Sequence, residues 1–158
     1  MKSLIVVLLT CLSFQNFGQR YAGMKIEIFG EGKSKEIFLM QNEKKTLMNE
    51  LTKLINGVND IARLAVDEDR LKEIKRTDDL IEIKFEIKIN FTSSEFTDYP
   101  IEKILIPITG DLSSTEEDNA VVLLLGAGSY DTNPYINSSG EKTFENIKRI
   151  LKINIPSK

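Results

Sequence analysis

The chain has no histidine and no tryptophan among its 158 residues. Without an imidazole there is no histidine-based acid–base catalysis, no Ser-His-Asp triad and no Cys-His pair. Zinc sites built from cysteine and histidine are excluded as well. Cysteine occurs once, as Cys11, inside an apolar N-terminal run. A single cysteine closes no disulfide within the chain. The fold must therefore be held by its apolar core, which suits a bacterial envelope better than a small, disulfide-dense eukaryotic secreted domain. Positive charge is also in short supply: 21 Lys+Arg stand against 24 Asp+Glu, for a net charge of −3. Lacking a long basic run, the chain is a poor partner for nucleic acid or an anionic membrane. No apolar run approaches the roughly 20 residues of a transmembrane helix.

What is present begins with an address. Met1-Lys2-Ser3 is a short basic start, Leu4 to Phe14 is apolar and uncharged, and Gln15 to Gln19 is a polar exit with Gly18 near its end. These are the three parts of a secretory signal peptide. The sequence thus predicts a signal over residues 1–19 and one domain over 20–158, exported to the periplasm or beyond. Loss of Lys2 with the signal takes the net charge from −3 to −4. The segment Leu8-Leu9-Thr10-Cys11 is similar to the lipobox of bacterial lipoproteins, departing from it at Thr10. That similarity implies a second route, a lipid anchor at Cys11. Asn16-Phe17-Gly18-Gln19 resembles the signal exit of some Gram-negative bacteria, which implies ordinary cleavage.

Met24 to Phe29 alternates apolar and polar, and Glu36 to Met40 offers a return strand across Gly30-Glu31-Gly32, so a hairpin is expected. Leu47, Leu51, Leu54, Ile55 and Val58 form one apolar stripe of a helix, with Asn42 as its cap and Gly57 as its stop. Residues 59–65 suggest a second short helical piece, and the charged run 67–76 an exposed turn of helix or a loop. From Ile81 to Phe91 every odd position is apolar and every even one polar. That is a long strand with one buried and one wet face, the pattern of an antiparallel sheet. Ile101 to Ile108 is the next strand, put at an edge or ended at a bulge by Pro107. Ala120 to Leu125 is apolar throughout, as a strand buried on both faces would be. Gly126 to Gly140 reads as a long polar loop. Ser138-Ser139-Gly140-Glu141 has the spacing of a capping box opening a last helix with Phe144, Ile147, Ile150 and Leu151 on its apolar face. The expected architecture is a single α+β domain. It has an antiparallel sheet of about five strands, one or two helices between strands 2 and 3, and a C-terminal helix, with the helices on one face.

Few motifs carry chemistry. Gly126-Ala127-Gly128 follows an apolar strand, but Asp131 stands where a dinucleotide fingerprint needs its third glycine, and Asn133-Pro134 blocks the helix a phosphate requires. The glycines then serve a turn, and no cofactor is implied. Asp67-Glu68-Asp69 and Glu116-Glu117-Asp118 lack the alternation of a calcium loop and read as solvated surface, so no metal site is assigned. Asn90-Phe91-Thr92 and Asn137-Ser138-Ser139 are glycosylation sequons of little meaning in a bacterium. The segment 129–138 is the best candidate for recognition. Tyr130, Asp131, Asn133 and Tyr135 combine contact area with polar tips. The competing reading has its tyrosines packed beneath the loop.

The leading expectation is an exported, non-enzymatic binding or accessory domain meeting an envelope or extracellular protein. The element order resembles that of small inhibitors such as the emfourin group, in architecture and without a shared motif. That resemblance implies a protease-inhibitor-like module as the alternative. A small hydrolase using two carboxylates brought together in space is the third reading.

Overall fold

The computed structural model describes residues 23–113 and 119–153. The signal segment, Cys11 and the acidic run 116–118 lie outside the described residues. Strands β1 (Met24–Gly30) and β2 (Lys33–Ile37) form the expected hairpin. Its turn places Glu31 at φ 51° and Gly32 at φ 72°, the paired positive φ of a tight hairpin whose twist matches its strands. Helix α1 (Gln41–Asn56) follows, then β3 (Asp60–Ile61), α2 (Glu68–Thr77), β4 (Leu80–Phe91), β5 (Tyr99–Pro107), β6 (Val121–Gly126), β7 (Tyr135–Asn137) and α3 (Glu141–Ile150). The protein is a single α+β domain on one seven-stranded sheet, ordered β2-β1-β4-β5-β6-β7-β3. Every pairing is antiparallel.

The two strands beyond the expected five are short. β7 lies within the stretch read as a loop, and β3 replaces the short helix expected over 59–65. Neither has enough residues to show a period in sequence. Together they extend the sheet past β6, Ile136 pairing with Val122 on one side and Asp60 on the other.

The α1 stripe packs as its spacing predicts: Leu47, Leu51, Leu54 and Ile55 are wholly buried. They meet Ile26, Ile81, Ile83, Phe85, Ile104 and Leu123 of the sheet and Phe144 and Ile147 of α3. The helix begins two residues earlier than an Asn42 cap would allow, with the Met40 N–H donating to Glu43 Oε2 at 2.9 Å. Gly57 does end it, at φ −82°, so no left-handed turn is involved. A Cβ there would run into the Asn137 amide. That amide donates to the Leu54 carbonyl at 2.8 Å, while its oxygen accepts from the Ser139 N–H at 3.1 Å. Asn137 thus ties the end of α1 to the start of α3, and being buried it is no glycan acceptor in the fold. The capping box expected at Ser138 does not form. Ser138 and Ser139 bond to Asn59 and Asn137, and α3 opens behind Gly140.

Two further expectations are corrected. The helices do not share one face: α1 and α3 cover the first, and α2 crosses the second. Its Ile74 packs with Leu80, Leu105, Leu124, Val66 and Leu112. The reason is topological. β2 and β3 occupy opposite edges, so α1 carries the chain across one face and α2 returns it across the other. The charged stretch 67–76 is therefore a real helix, capped by Asp67 accepting from the Arg70 N–H at 2.8 Å. The second correction concerns Pro107. It closes β5 opposite Leu80 in the middle of the sheet, beyond the part of β5 that pairs with β6, so its missing N–H leaves no gap in that ladder.

Candidate functional site

The second face of the sheet carries two rows of charge. Antiparallel pairing sets Lys25 opposite Lys84 and Lys84 opposite Lys103. One step along each strand, Glu36 faces Glu27, Glu27 faces Glu82, and Glu82 faces Leu105. Like charges directly opposite repel, so such rows persist only by pairing with each other. They do so: Lys25 lies 3.5 Å from Glu27 and 3.9 Å from Glu36, and Lys84 lies 3.6 Å from Glu27 and 2.9 Å from Glu82.

Glu82 is the centre of this lattice. Although it sits on the face expected to be wet, it is only 2 % exposed, because α2 lies over it. Lys75 of α2 reaches its Oε1 at 2.6 Å, and the Tyr130 hydroxyl donates to the same oxygen at 2.6 Å. Burial alone would raise its pKa. The hydrogen bonds from Lys75, Tyr130 and Lys84 outweigh burial and hold the carboxyl below its ordinary value. Tyr130 is shifted upward, first by burial and then by the Glu82 charge.

Between α2 and the loop after β6 is a cavity of about 620 Å³, lined by Glu82, Lys84 and Lys103 of the sheet, by Lys75, and by the exposed Asp67, Glu68 and Lys72 at the start of α2. Leu71, Leu124 and Val66 supply apolar wall, and Gly128, Ser129 and Tyr130 close one side. The turn Gly126-Ala127-Gly128 shapes that side. Gly128 takes φ +85°, and a Cβ on Gly126 would strike the Ser129 backbone. Lys103 Nζ donates to the Gly128 carbonyl and stands 4.6 Å from the centre of the Tyr130 ring. Burial lowers the Lys103 pKa, and Lys75 and Lys84 add to that while Glu82 opposes it.

The four residues singled out from sequence do not gather at one point. Tyr130 lines the cavity. Asp131 and Tyr135 join Tyr99 in a separate cluster, where the hydroxyls of Tyr99 and Tyr135 donate to the Asp131 carboxylate at 2.7 and 2.8 Å. Phe96 packs against both rings, its centroid 5.4 Å from each. Burial and then the Asp131 bond push Tyr99 up to about 12, and raise Tyr135 in the same way. Asn133 is exposed at the loop tip. Sequence reasoning missed Glu82, Lys84, Lys103 and Lys75. The one available signal was a lysine in a charged stretch next to Ile74, three residues after Leu71, which is helical spacing for a buried face.

The chain matches no family model, no curated protein and no solved structure. Among the described residues no group of three or more acidic or sulfur and imidazole side chains is placed to hold a metal ion, and no helix is long and apolar enough to cross a membrane.

Proposed function

We propose that this protein is an exported bacterial binding domain without catalytic activity, and that its ligand enters the cavity between α2 and the loop after β6. The observation that carries this reading is the cavity itself. Its 620 Å³ lies in the range of small-molecule sites, and it combines apolar walls with a few convergent polar groups. Of the carboxylates that line it, Asp67 and Glu68 stand exposed at the start of α2 and only Glu82 is buried, which favours binding over hydrolysis. A glycosidase acid needs a raised pKa, whereas Lys75, Lys84 and Tyr130 hold Glu82 ionised. The tyrosines of the loop spend their hydroxyls internally, on Glu82 and Asp131, so the loop acts as the cavity's wall.

Two measurements test the proposal. Intact mass of the exported protein is expected to show a chain beginning at residue 20; a lipid-modified species beginning at Cys11 would replace free export with a lipid anchor. Titration of the isotope-labelled exported protein with the low-molecular-weight fraction of envelope extract is expected to shift the amide signals of Lys75, Gly128, Ser129 and Tyr130. Shifts confined to the opposite face, or turnover of a glycoside by the protein, would overturn the reading.

A further inference from the structure

The charge lattice beneath the cavity is incomplete at one position. Lys25 and Lys84 each have carboxylates from the acid row. That row reaches β5 with Leu105 in place of an acid, because Leu105 is needed under α2. Lys103, the last lysine of its row, therefore has no carboxylate partner among the described residues. It stands directly opposite Lys84, a like-charge pairing that destabilises a sheet unless an anion lies close by. One of its three N–H donors is taken by the Gly128 carbonyl. Next to it the Tyr130 ring, Leu124 and Leu71 form an apolar wall in the same cavity.

We propose that the cavity binds a small organic carboxylate, its charged group on Lys103, its apolar body against Tyr130, Leu124 and Leu71. The inference rests on the reading of this cavity as the ligand site. A monoanion matches the one lysine of that row without a carboxylate partner. A doubly charged phosphate would bring its second charge close to Glu82, and would leave the apolar wall unused. Both terms of the recognition are ordinary ones: a charge-assisted hydrogen bond and burial of a hydrocarbon surface.

The test titrates hexanoate, acetate, inorganic phosphate and 1-hexanol separately into the isotope-labelled exported protein, following the amides of Lys103, Gly128 and Ser129. Hexanoate is expected to bind saturably. Acetate, which lacks the body, and 1-hexanol, which lacks the charge, are each expected to bind about tenfold or more weakly by comparison. Lys103→Met should weaken hexanoate by about tenfold or more and leave 1-hexanol unchanged. Lys103→Gln, which keeps a donor for Gly128, should lose hexanoate to the same extent, with a melting temperature close to the parent's showing that the fold survives. Equal binding of hexanoate by folded Lys103→Gln would overturn the inference. Saturable binding of phosphate or 1-hexanol at these amides, as tight as hexanoate, would overturn the carboxylate and keep the cavity as a ligand site. Silence of all four probes would also overturn the carboxylate, and the extract titration would then decide the cavity by itself.

Discussion

Replacing Glu82 by Gln removes a charge and little else, because the two side chains have nearly the same shape. The parent carboxylate, 2 % exposed, receives Lys75 at 2.6 Å, Tyr130 at 2.6 Å and Lys84 at 2.9 Å. A hydrogen bond to a charged group contributes about 1.5–3 kcal/mol. Three such contacts do not add in full here. The Lys75 and Lys84 side chains are 25 % and 45 % exposed, so each recovers part of its hydration once the charge is gone. A net loss of about 2–3 kcal/mol at neutral pH is expected for Glu82→Gln. The pH dependence separates this cause from a packing defect. The folded carboxyl has a lowered pKa, while the unfolded one titrates near the ordinary value of about 4.3. Its stabilisation is therefore present above about 4.3 and lost as pH falls through the lower, folded value. Glutamine does not titrate, so the difference between parent and variant isolates this one group. Urea titrations at steps downward from neutral pH should show the gap narrowing as pH falls below about 4.3 and Glu82 is protonated. A gap that stays constant across that window would refute the charge lattice as the source of the stability.

Two other perturbations address the core and the tyrosine cluster. Phe85, buried among Met24, Leu51 and Leu54, should cost about 3–5 kcal/mol as Phe85→Ala, while Glu86→Ala, on the exposed side of the same strand, should change stability by no more than about 0.5 kcal/mol; equal costs in denaturant would mean that the faces of β4 are reversed. Asp131→Asn should bring the Tyr99 phenol down from about 12 toward its ordinary value of about 10, read by phenolate absorbance. In the parent the Tyr99 contribution to stability is fully present below about 10 and is lost as pH rises toward the folded value, so the variant should lose less stability than the parent over that alkaline range.

The fold was legible wherever a period ran long enough. Six apolar positions alternating with polar ones from Ile81 to Phe91 fixed β4 as an antiparallel strand, and five residues at helical spacing fixed the buried side of α1. Alternation then misled in one respect. It assigns residues to two faces but does not say what covers the second. Beyond Lys84 the pairing with β5 slips, so that residues 85–88 oppose Glu102 alone. There Glu86 and Lys88 are wet as expected, and Ile87, on the apolar face of the pattern, is 53 % exposed. Before the slip Glu82 is buried, because α2 lies over β1 and β4. Nothing within β4 encodes that; it depends on β3 being paired at the far edge of the sheet, and β3 is two residues long.

The site was less legible for a related reason. Lys25, Lys84 and Lys103 are separated by 59 and 19 residues in sequence, and each alone is an ordinary lysine of an alternating or charged strand. They become a row only through the register of β1, β4 and β5. The same register makes Leu105 the residue that breaks the acid row. A strand reader counts Leu105 simply as one more apolar residue of a strand that also holds Ile104 and Ile106. In the assembled sheet it does two things at once: it fills the small core beneath α2, and it leaves Lys103 without a counter-charge at the edge of a cavity. An acid at 105 would complete the lattice electrostatically but would bury an additional charge beneath Ile74, which costs several kcal/mol without close pairing. Packing under α2 thus forces the electrostatic gap, and the gap is open on the side where the loop carrying Tyr130 leaves room for a ligand.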